Sequence, residues 1–377
     1  MIRFLHSGDW QLGMTRSVLD DEAHARYVEA RFSSIRRLGA LAEDARCEFV
    51  VVAGDVFESN RVDRKTVARA LDALHGVPVP VYLLPGNHDP LDAASLFQSD
   101  RFRDAAPPHV HVLDDTEPRP VAPGVELVGA PWRSRRPEAN PALAAVEGLG
   151  PPGPIRILVA HGGADLLTPD RRDASMLPVA PLESALEDRR IRYVALGDRH
   201  STTCVGKSGR IFYAGTPEPT DFNERDPGRA LVVELDHEHI QVTPQRVGTW
   251  QFVQWDPFLL EEAEDVTELS RRLADTEAKE RSVLRLELRG RIDLRAAAEL
   301  DGRLEAARDL FAGLDVRDAE LERVGTNEDF DQVALGGFAA EAVEALREES
   351  ALPGEAGRAA RDALALCLRL ASEGAGA

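Results

Sequence analysis

Metal-binding side chains recur in this chain directly after short apolar runs. Asp9 and Gln11 follow residues 2–6, in Gly8-Asp9-Trp10-Gln11. Asp55 follows 49–53, in Gly54-Asp55-Val56-Phe57-Glu58, and Asn87 and His88 follow 79–84, in Gly86-Asn87-His88-Asp89. His161 closes the run 155–160, and Asp198 and His200 follow 193–196, in Gly197-Asp198-Arg199-His200. Carboxylate, amide oxygen and imidazole together suit a borderline-hard divalent ion such as manganese, iron or zinc. A carboxylate can bridge two ions, and Asp55, from the central segment, is the natural bridge. Two ions roughly 3.5–4 Å apart can acidify a shared water and clamp the oxygens of a phosphoryl group. Each piece also has an ordinary structural use. An Asp after a strand caps a helix or closes a turn, Asn-His-Asp makes turns, and a histidine ending an apolar run packs in a core. Their common position at strand ends is what points to one site.

The elements that must position them follow from hydrophobic patterning. The runs are short, rich in Val, Ile and Leu, and end at Gly, Pro or polar residues, as buried strands do. Residues 21–45 and 64–75 between them have helical spacing. Alternation of strand and helix predicts βαβ units in a largely parallel sheet, whose carboxyl edge gathers the polar ends. Glycine beside each ligand lets the backbone turn tightly there. After Gly209 the pattern changes to strands at 211–214, 230–235, 240–245 and 251–255, expected to form an antiparallel second sheet packed on the first. A smaller α+β module follows: helix 259–274, strand 282–289, helix 293–312 and strand 315–322. Residues 325–337 read as a linker, and 338–372 as two amphipathic helices broken at Pro353-Gly354.

A length of 377 residues predicts one large domain with one or two small ones. The 43% hydrophobic and 29% charged composition is that of a globular chain. Net charge of −20 argues against a broad basic face for nucleic acid. It leaves room for a nuclease, because bound cations offset acidic ligands and a partner can supply the grip. No apolar run reaches membrane-spanning length, and the N-terminus does not read as a signal peptide. Cys47, Cys204 and Cys367 are odd in number and far apart, so neither a disulfide framework nor a CxxC site is expected, which fits a reducing cytoplasm. All three read as small packing residues.

The succession of Asp9, Gly54-Asp55, Gly86-Asn87-His88-Asp89, His161 and Gly197-Asp198-Arg199-His200 resembles the calcineurin-like metallophosphoesterases. The stretches FLHSGDWQLG, GDVFES and GTPEPTDFNE are similar to those of SbcD-type DNA repair exonucleases. The likeness covers about two thirds of the chain, and the module after it resembles that family's capping domain more loosely. It implies an α/β fold: a two-sheet βαβ sandwich flanked by helices at 1–255, a small α+β capping domain at 256–325, and a helical C-terminal tail at 326–377 that could dock a partner. It also implies two divalent cations, one held by Asp9, Gln11, Asp55 and His200 and the other by Asp55, Asn87, His161 and Asp198. Gln11 and Asp198 stand where the family has histidines. Gln11 would bind weakly, directly or through a water. Asp198 would bind metal or hydrogen-bond Arg199 or a backbone amide. The oxygen-rich set moves preference toward manganese, with magnesium next, and away from zinc.

In the same reading His88 is the catalytic residue, orienting the scissile phosphate or protonating the leaving oxygen as water activated by the two metals attacks phosphorus in line. Asp89 either holds the His88 imidazole or only shapes the turn. Glu58, where the nuclease branch carries a histidine, receives no role. Arg133, Arg135 and Arg136 either grip substrate phosphates or form a solvated loop, and Trp10 is a wall of the site. The function implied is a DNA exonuclease or endonuclease subunit in repair and recombination. It would be cytoplasmic, homodimeric and free of membrane, acting on DNA with an SbcC-like coiled-coil ATPase. Two alternatives stand beside it. A small-molecule phosphodiesterase or phosphatase is favoured by the acidity and disfavoured by the capping module. A weakened scaffold that binds DNA ends is suggested by Gln11 and Asp198.

Overall fold

The computed structural model describes residues 1–167, 173, 175–324 and 338–374. The chain divides into two compact units, one of Met1–Arg16 with His24–Gln251 and one of Ser17–Ala23 with Phe252–Ala377.

The first unit is a two-sheet sandwich. One sheet carries β1 (Ile2–Ser7), β2 (Val50–Val52), β3 (Val81–Leu83) and β4 (Val110–Val112), all parallel. The strands β11 (Arg229–Leu235) and β12 (Ile240–Arg246) extend it antiparallel beyond β1, giving the order β12-β11-β1-β2-β3-β4. The other sheet contains β5 (Arg119–Ala122), β6 (Val125–Gly129), β7 (Ile155–His161), β8 (Tyr193–Gly197), β9 (Thr203–Val205) and β10 (Ile211–Tyr213), in the order β5-β6-β7-β8-β10-β9.

Side chains alternate between the two faces of each strand. Phe4, Val51, Ile157, Val159 and Ala195 fill the space between the sheets, together with Phe49, Tyr82 and Tyr193. Leu5, Val50, Val52 and Leu83 point the other way, under α1 (Asp21–Asp44) and α2 (Arg64–His75). Leu158, Ala160, Val194 and Leu196 do the same under α4 (Pro141–Glu147) and α5 (Val179–Glu187); the short α3 (Asp100–Arg103) precedes β4. Burial on both faces is why the runs are continuously apolar and carry no two-residue period.

The helix-flanked two-sheet architecture agrees with the sequence reading, but the allocation of strands differs. The five runs do not share one sheet: β1, β2 and β3 lie in the first and β7 and β8 in the second. The strands after Gly209 also divide. β10 pairs parallel with β8, while β11 and β12 close the open edge of β1. β11 is buried along nearly its whole length, which an outer antiparallel sheet with one wet face would not require. Trp10 is a core residue, 2% exposed, with its indole donating to Ser7 Oγ. Of the cysteines, Cys47 is buried, Cys367 half-buried and Cys204 exposed.

In the second unit, β14 (Phe258–Leu260), α6 (Ala263–Asp275), β15 (Ser282–Asp293), α7 (Leu294–Arg308) and β16 (Gly313–Val324) form two parallel crossovers. β16 pairs along the length of β15, so β13 (Gln251–Gln254) and β14 share its other edge. β13 therefore belongs to this sheet and not to the sandwich. Glu262 and Asp265 make a capping box that starts α6 later than the expected 259, and Val266, Leu269 and Leu273 give it one apolar face. The final helices, α8 (Phe338–Ser350) and α9 (Glu355–Gly374), bury Val343, Leu364 and Ala365 in this unit's own core. The expected linker at 325–337 lies outside the described residues.

A polar contact at His6 crosses the sandwich core. His6 Nε2 lies 3.2 Å from the Leu196 carbonyl and Nδ1 lies 3.0 Å from the Tyr193 hydroxyl. A neutral ring with its proton on Nε2 satisfies both. Burial holds the His6 pKa down at about 3 against an ordinary 6.5, with only the Leu196 hydrogen bond opposing. The unfolded chain therefore takes up a proton that the folded one refuses between these values, and stability falls as pH drops through this window. His6→Leu should lose about 1–3 kcal/mol at pH 7 through the orphaned Tyr193 hydroxyl. It should also show a shallower loss between pH 6 and pH 4, read from denaturant midpoints across that range.

Candidate metal centre

The expected ligand residues stand at the carboxyl ends of strands from both sheets, which face each other at one end of the sandwich. Backbone bonds fix the first sheet's loops: Asp9 N–H donates to the Gly54 carbonyl at 3.0 Å and Gln11 N–H to the Asp55 carbonyl at 2.8 Å. Across the sandwich, Asp198 N–H donates to Asp9 Oδ1 at 2.9 Å. The backbone is left-handed at Asp9 (φ 53°), Gln11 (41°), Asp55 (52°) and Asp198 (100°). Non-glycine residues adopt this conformation at a cost and concentrate it at functional sites. Two glycines make the close approach feasible. A Cβ on Gly54 would sit 2.2 Å from His161 Nδ1, and one on Gly86 2.2 Å from Asp55 Oδ1.

Asp9, Asp55 and His161, all buried, offer ligand atoms within 4.8 Å of one another. His161 Nδ1 lies 2.9 Å from the Ala53 carbonyl, so it carries a proton and Nε2 faces the site. Nε2 is 3.4 Å from Asp55 Oδ1, 3.8 Å from Asp198 Oδ1 and 2.7 Å from Asn87 Oδ1. The main chain of His161 is itself pinned, its carbonyl accepting from Trp132 Nε1 (2.9 Å) and Asn140 Nδ2 (3.1 Å). Arg199 donates to Thr203 Oγ1, which leaves the Asp198 carboxylate turned toward His161. Asp9 Oδ2 and Gln11 Oε1 are buried without a hydrogen bond. Buried acceptors with no donor are costly, and a cation is the partner that would satisfy them, so the donor set fits divalent ions.

His200 approaches from the other side. Its Nδ1 lies 2.8 Å from Glu224 Oε1 and 2.8 Å from Thr220 Oγ1. The glutamate accepts a hydrogen bond from Nδ1–H and so leaves the Nε2 lone pair for a metal, an arrangement common to metal-binding histidines. Glu224 is fixed in turn by Thr220, whose N–H donates to Oε2 at 2.8 Å and whose hydroxyl bonds Oε1. Glu224 follows no strand end and carries no spacing signal. Only its place in the GTPEPTDFNE stretch marked it.

His88 is half-buried at the rim, with Nε2 4.0 Å from Asp55 Oδ2 and its backbone N–H donating to Asp55 Oδ1 at 3.0 Å. Its Nδ1 faces the Glu58 carbonyl at 3.0 Å and the Glu58 carboxylate at 3.6 Å. Asp89 does not hold this ring: its two oxygens accept from Phe57 N–H (2.9 Å) and Gly86 N–H (2.8 Å), tying two ligand loops together. Glu58, given no role from sequence, is the residue against Nδ1. Of the three arginines, Arg135 Nη2 donates to the His88 carbonyl at 3.3 Å, Arg133 Nη2 turns to the Asp114 carbonyl, and Arg136 is exposed.

The electrostatics follow from burying so many carboxylates together. Burial, joined by the Asp55 and Asp198 charges, pushes Asp9 up to about 7 against the pull of His200 and His161. Burial also raises Asp198, and burial with the Asp55 charge raises Asp89 to about 7. At Asp55 burial is outweighed by His161 and His88, which hold its carboxyl below the usual range. Burial alone would keep His161 neutral, but Asp55, Asp198 and Asp9 raise it well above 6.5. Burial likewise opposes the charge on His200, and the Glu224 hydrogen bond restores it. His88 is raised to about 9 by its hydrogen bond to Glu58, against burial and with help from Asp55.

A family model of calcineurin-like phosphoesterases matches residues 2–232. The chain belongs to the calcineurin-like phosphoesterase family, and with it come metal-dependent hydrolysis of phosphoesters and a dinuclear divalent centre. No curated protein matches the chain significantly. Among solved structures it is similar to TT1561 of Thermus thermophilus, at 10% identity and a TM-score of 0.42, over 65% of this chain and 99% of that one. It is similar as well to a dimetal phosphatase from Danio rerio, LOC 393393, at 13% identity and a TM-score of 0.42, over 65% and 96%. No described helix is long and apolar enough to cross a membrane.

Metal binding at this centre must displace protons from Asp9 and His161. Affinity for manganese should fall at least about tenfold from pH 8 to pH 6, with proton release seen by calorimetry in buffers of different ionisation enthalpy. Asp9 makes the opposite contribution to His6 in the metal-free fold, because its raised pKa removes stability as pH rises from 3.8 toward about 7. Glu224→Ala should weaken metal binding by about 10–100-fold, with Glu224→Gln between it and the native protein. Unchanged affinity in Glu224→Ala would remove its assigned hold on His200.

Proposed function

We propose that this phosphoesterase is a phosphodiesterase acting on DNA, the nuclease subunit of a repair assembly with an SbcC-like coiled-coil ATPase, working as a homodimer in the cytoplasm. One cation is assigned to Asp55, Asn87, His161 and Asp198 and the other to Asp9, Gln11, Asp55 and His200, with manganese preferred over magnesium for so oxygen-rich a set. When bound, the ions supply an acidified water and neutralise phosphoryl oxygens.

The observation that carries the reading is His88 at the rim. It is not needed as a ligand, its Nε2 faces Asp55, and Glu58 keeps a proton on Nδ1. A histidine so held can donate from Nε2 to a non-bridging phosphate oxygen or protonate the leaving oxygen. Arg135, against the His88 carbonyl, is exposed beside it and can steer a phosphate backbone. The DNA assignment is supported by the FLHSGDWQLG, GDVFES and GTPEPTDFNE stretches and by the second unit, which a small substrate would not need. Exposed Leu352 and Leu366 on the C-terminal helical region support a partner there. The net charge of −20 favours a second reading, hydrolysis of a small phosphodiester.

With manganese, the protein should degrade linear duplex DNA and cleave bis(p-nitrophenyl) phosphate. His88→Ala should keep two metals by elemental analysis and lower turnover about 10²–10⁴-fold. Asp55→Asn should lose both metals and all activity. Cleavage of the small diester with intact DNA would overturn the DNA assignment in favour of the second reading. A centre empty at millimolar manganese would point to a non-catalytic scaffold.

A further inference from the structure

A second cavity, of about 540 Å³, opens beside α5 and β9, and none of its lining residues belongs to the metal centre. Leu166, Leu167, Val179, Ala180 and Val205 give it apolar walls. Leu166 and Leu167 are adjacent leucines, 58% and 39% exposed, and add to the apolar surface at its mouth. The helix contributes one stripe, from Val179 and Ala180 through Glu183 and Ser184 to Glu187.

Its charges are unbalanced. Among the described residues, Asp165, Glu183 and Glu187 line it against one cation, Lys207, which pairs with Glu187 at 3.1 Å on the surface. Asp165 is occupied by the Val179 N–H at 3.2 Å. Glu183 is the telling residue. It is 7% exposed, and its Oε1 accepts from Lys207 N–H (2.8 Å), Ser208 N–H and Ser208 Oγ (3.2 Å each). Gly206 is left-handed and so close that a Cβ would sit 2.0 Å from that oxygen, so the 206–208 turn is wrapped around the carboxylate. The other oxygen, Oε2, is buried and has no partner among the described residues. A carboxylate held rigidly, half unsatisfied, in an apolar cavity selects a donor that carries positive charge.

The geometry points to a binding site for an ammonium or guanidinium group on an apolar stem, its cation meeting Glu183 and its stem lying against Leu166, Leu167 and Val205. A free organic amine and an arginine side chain from a peptide share this chemistry. Cys204 lines the cavity and is exposed, which provides a reporter. In the full-length protein, the rate of Cys204 alkylation by iodoacetamide, followed by peptide mass spectrometry, should fall in the presence of benzylammonium or of N-acetyl-Leu-Arg-Leu-amide. Benzyl alcohol and benzoate should give no protection. Protection by the amine alone assigns a small-molecule ligand, and protection by the peptide alone assigns a polypeptide one.

Glu183→Gln should weaken protection by about tenfold, since a neutral amide cannot offer the charge. Because that change also touches the 206–208 turn, Ala180→Arg at an exposed helix position gives an independent arm. Its guanidinium should fill the cavity, slow Cys204 alkylation without any ligand, and leave phosphoester turnover unchanged. Equal protection by benzyl alcohol, or undiminished protection in both variants, would overturn the assignment.

Discussion

Like charges resist being buried together, and the end of this sandwich buries three carboxylates in the space of a few ångströms. The three are handled in different ways. Asp89 accepts from two backbone N–H groups, which offset its burial only in part, and serves as a strut between loops. Asp55 is compensated by His161 and His88, and keeps its charge. Asp9 is compensated at one oxygen only. The deficit at Asp9, shared with Gln11, is the mark of a site that is electrically complete only with cations present. Nearby glycines, left-handed turns and buried histidines are arranged around that deficit.

The histidines show how the protein sets donor atoms without choosing them by charge. In each case Nδ1 is occupied by an acceptor from a different part of the chain: the Ala53 carbonyl for His161, Glu224 for His200, and Glu58 for His88. Each ring is thereby turned so that Nε2 faces inward. Gln11 and Asp198 act on another level: beside the imidazoles of His161 and His200 they make the set of available donors oxygen-rich.

Much of this was legible in the chain because candidate donors at strand ends repeat a local pattern: an apolar run, then a donor with a glycine beside it. Asp9, Asp55, Asn87 and His161, which the fold gathers at one end, stood out that way, and so did the helix-flanked two-sheet class. What the pattern could not convey was which sheet each strand joins. Val50, Val51 and Val52 are buried on both faces, so their sequence contains no record of the inner side. Orienting residues were illegible for another reason. Glu58 acts partly through its backbone carbonyl, which any residue possesses, and Glu224 lies in a turn whose composition resembles any polar loop. Of the two readings open for Asp89 from sequence, the geometry takes the turn: its carboxylate ties Phe57 and Gly86 and does not reach the His88 ring.

The donor atoms come from both halves of the sandwich, and this has a bearing on how the molecule is made. The first of them is at position 9 and the last at 200, with contacts between Asp9 and Asp198 among the longest-range in the fold. Long-range contacts form late, after the loops between them have closed. During synthesis, the early strands can collapse on their helices while lacking His161 and His200 altogether. Competence for hydrolysis then arrives in one step, when the second sheet docks, and no half-built intermediate could cleave an ester within its reach.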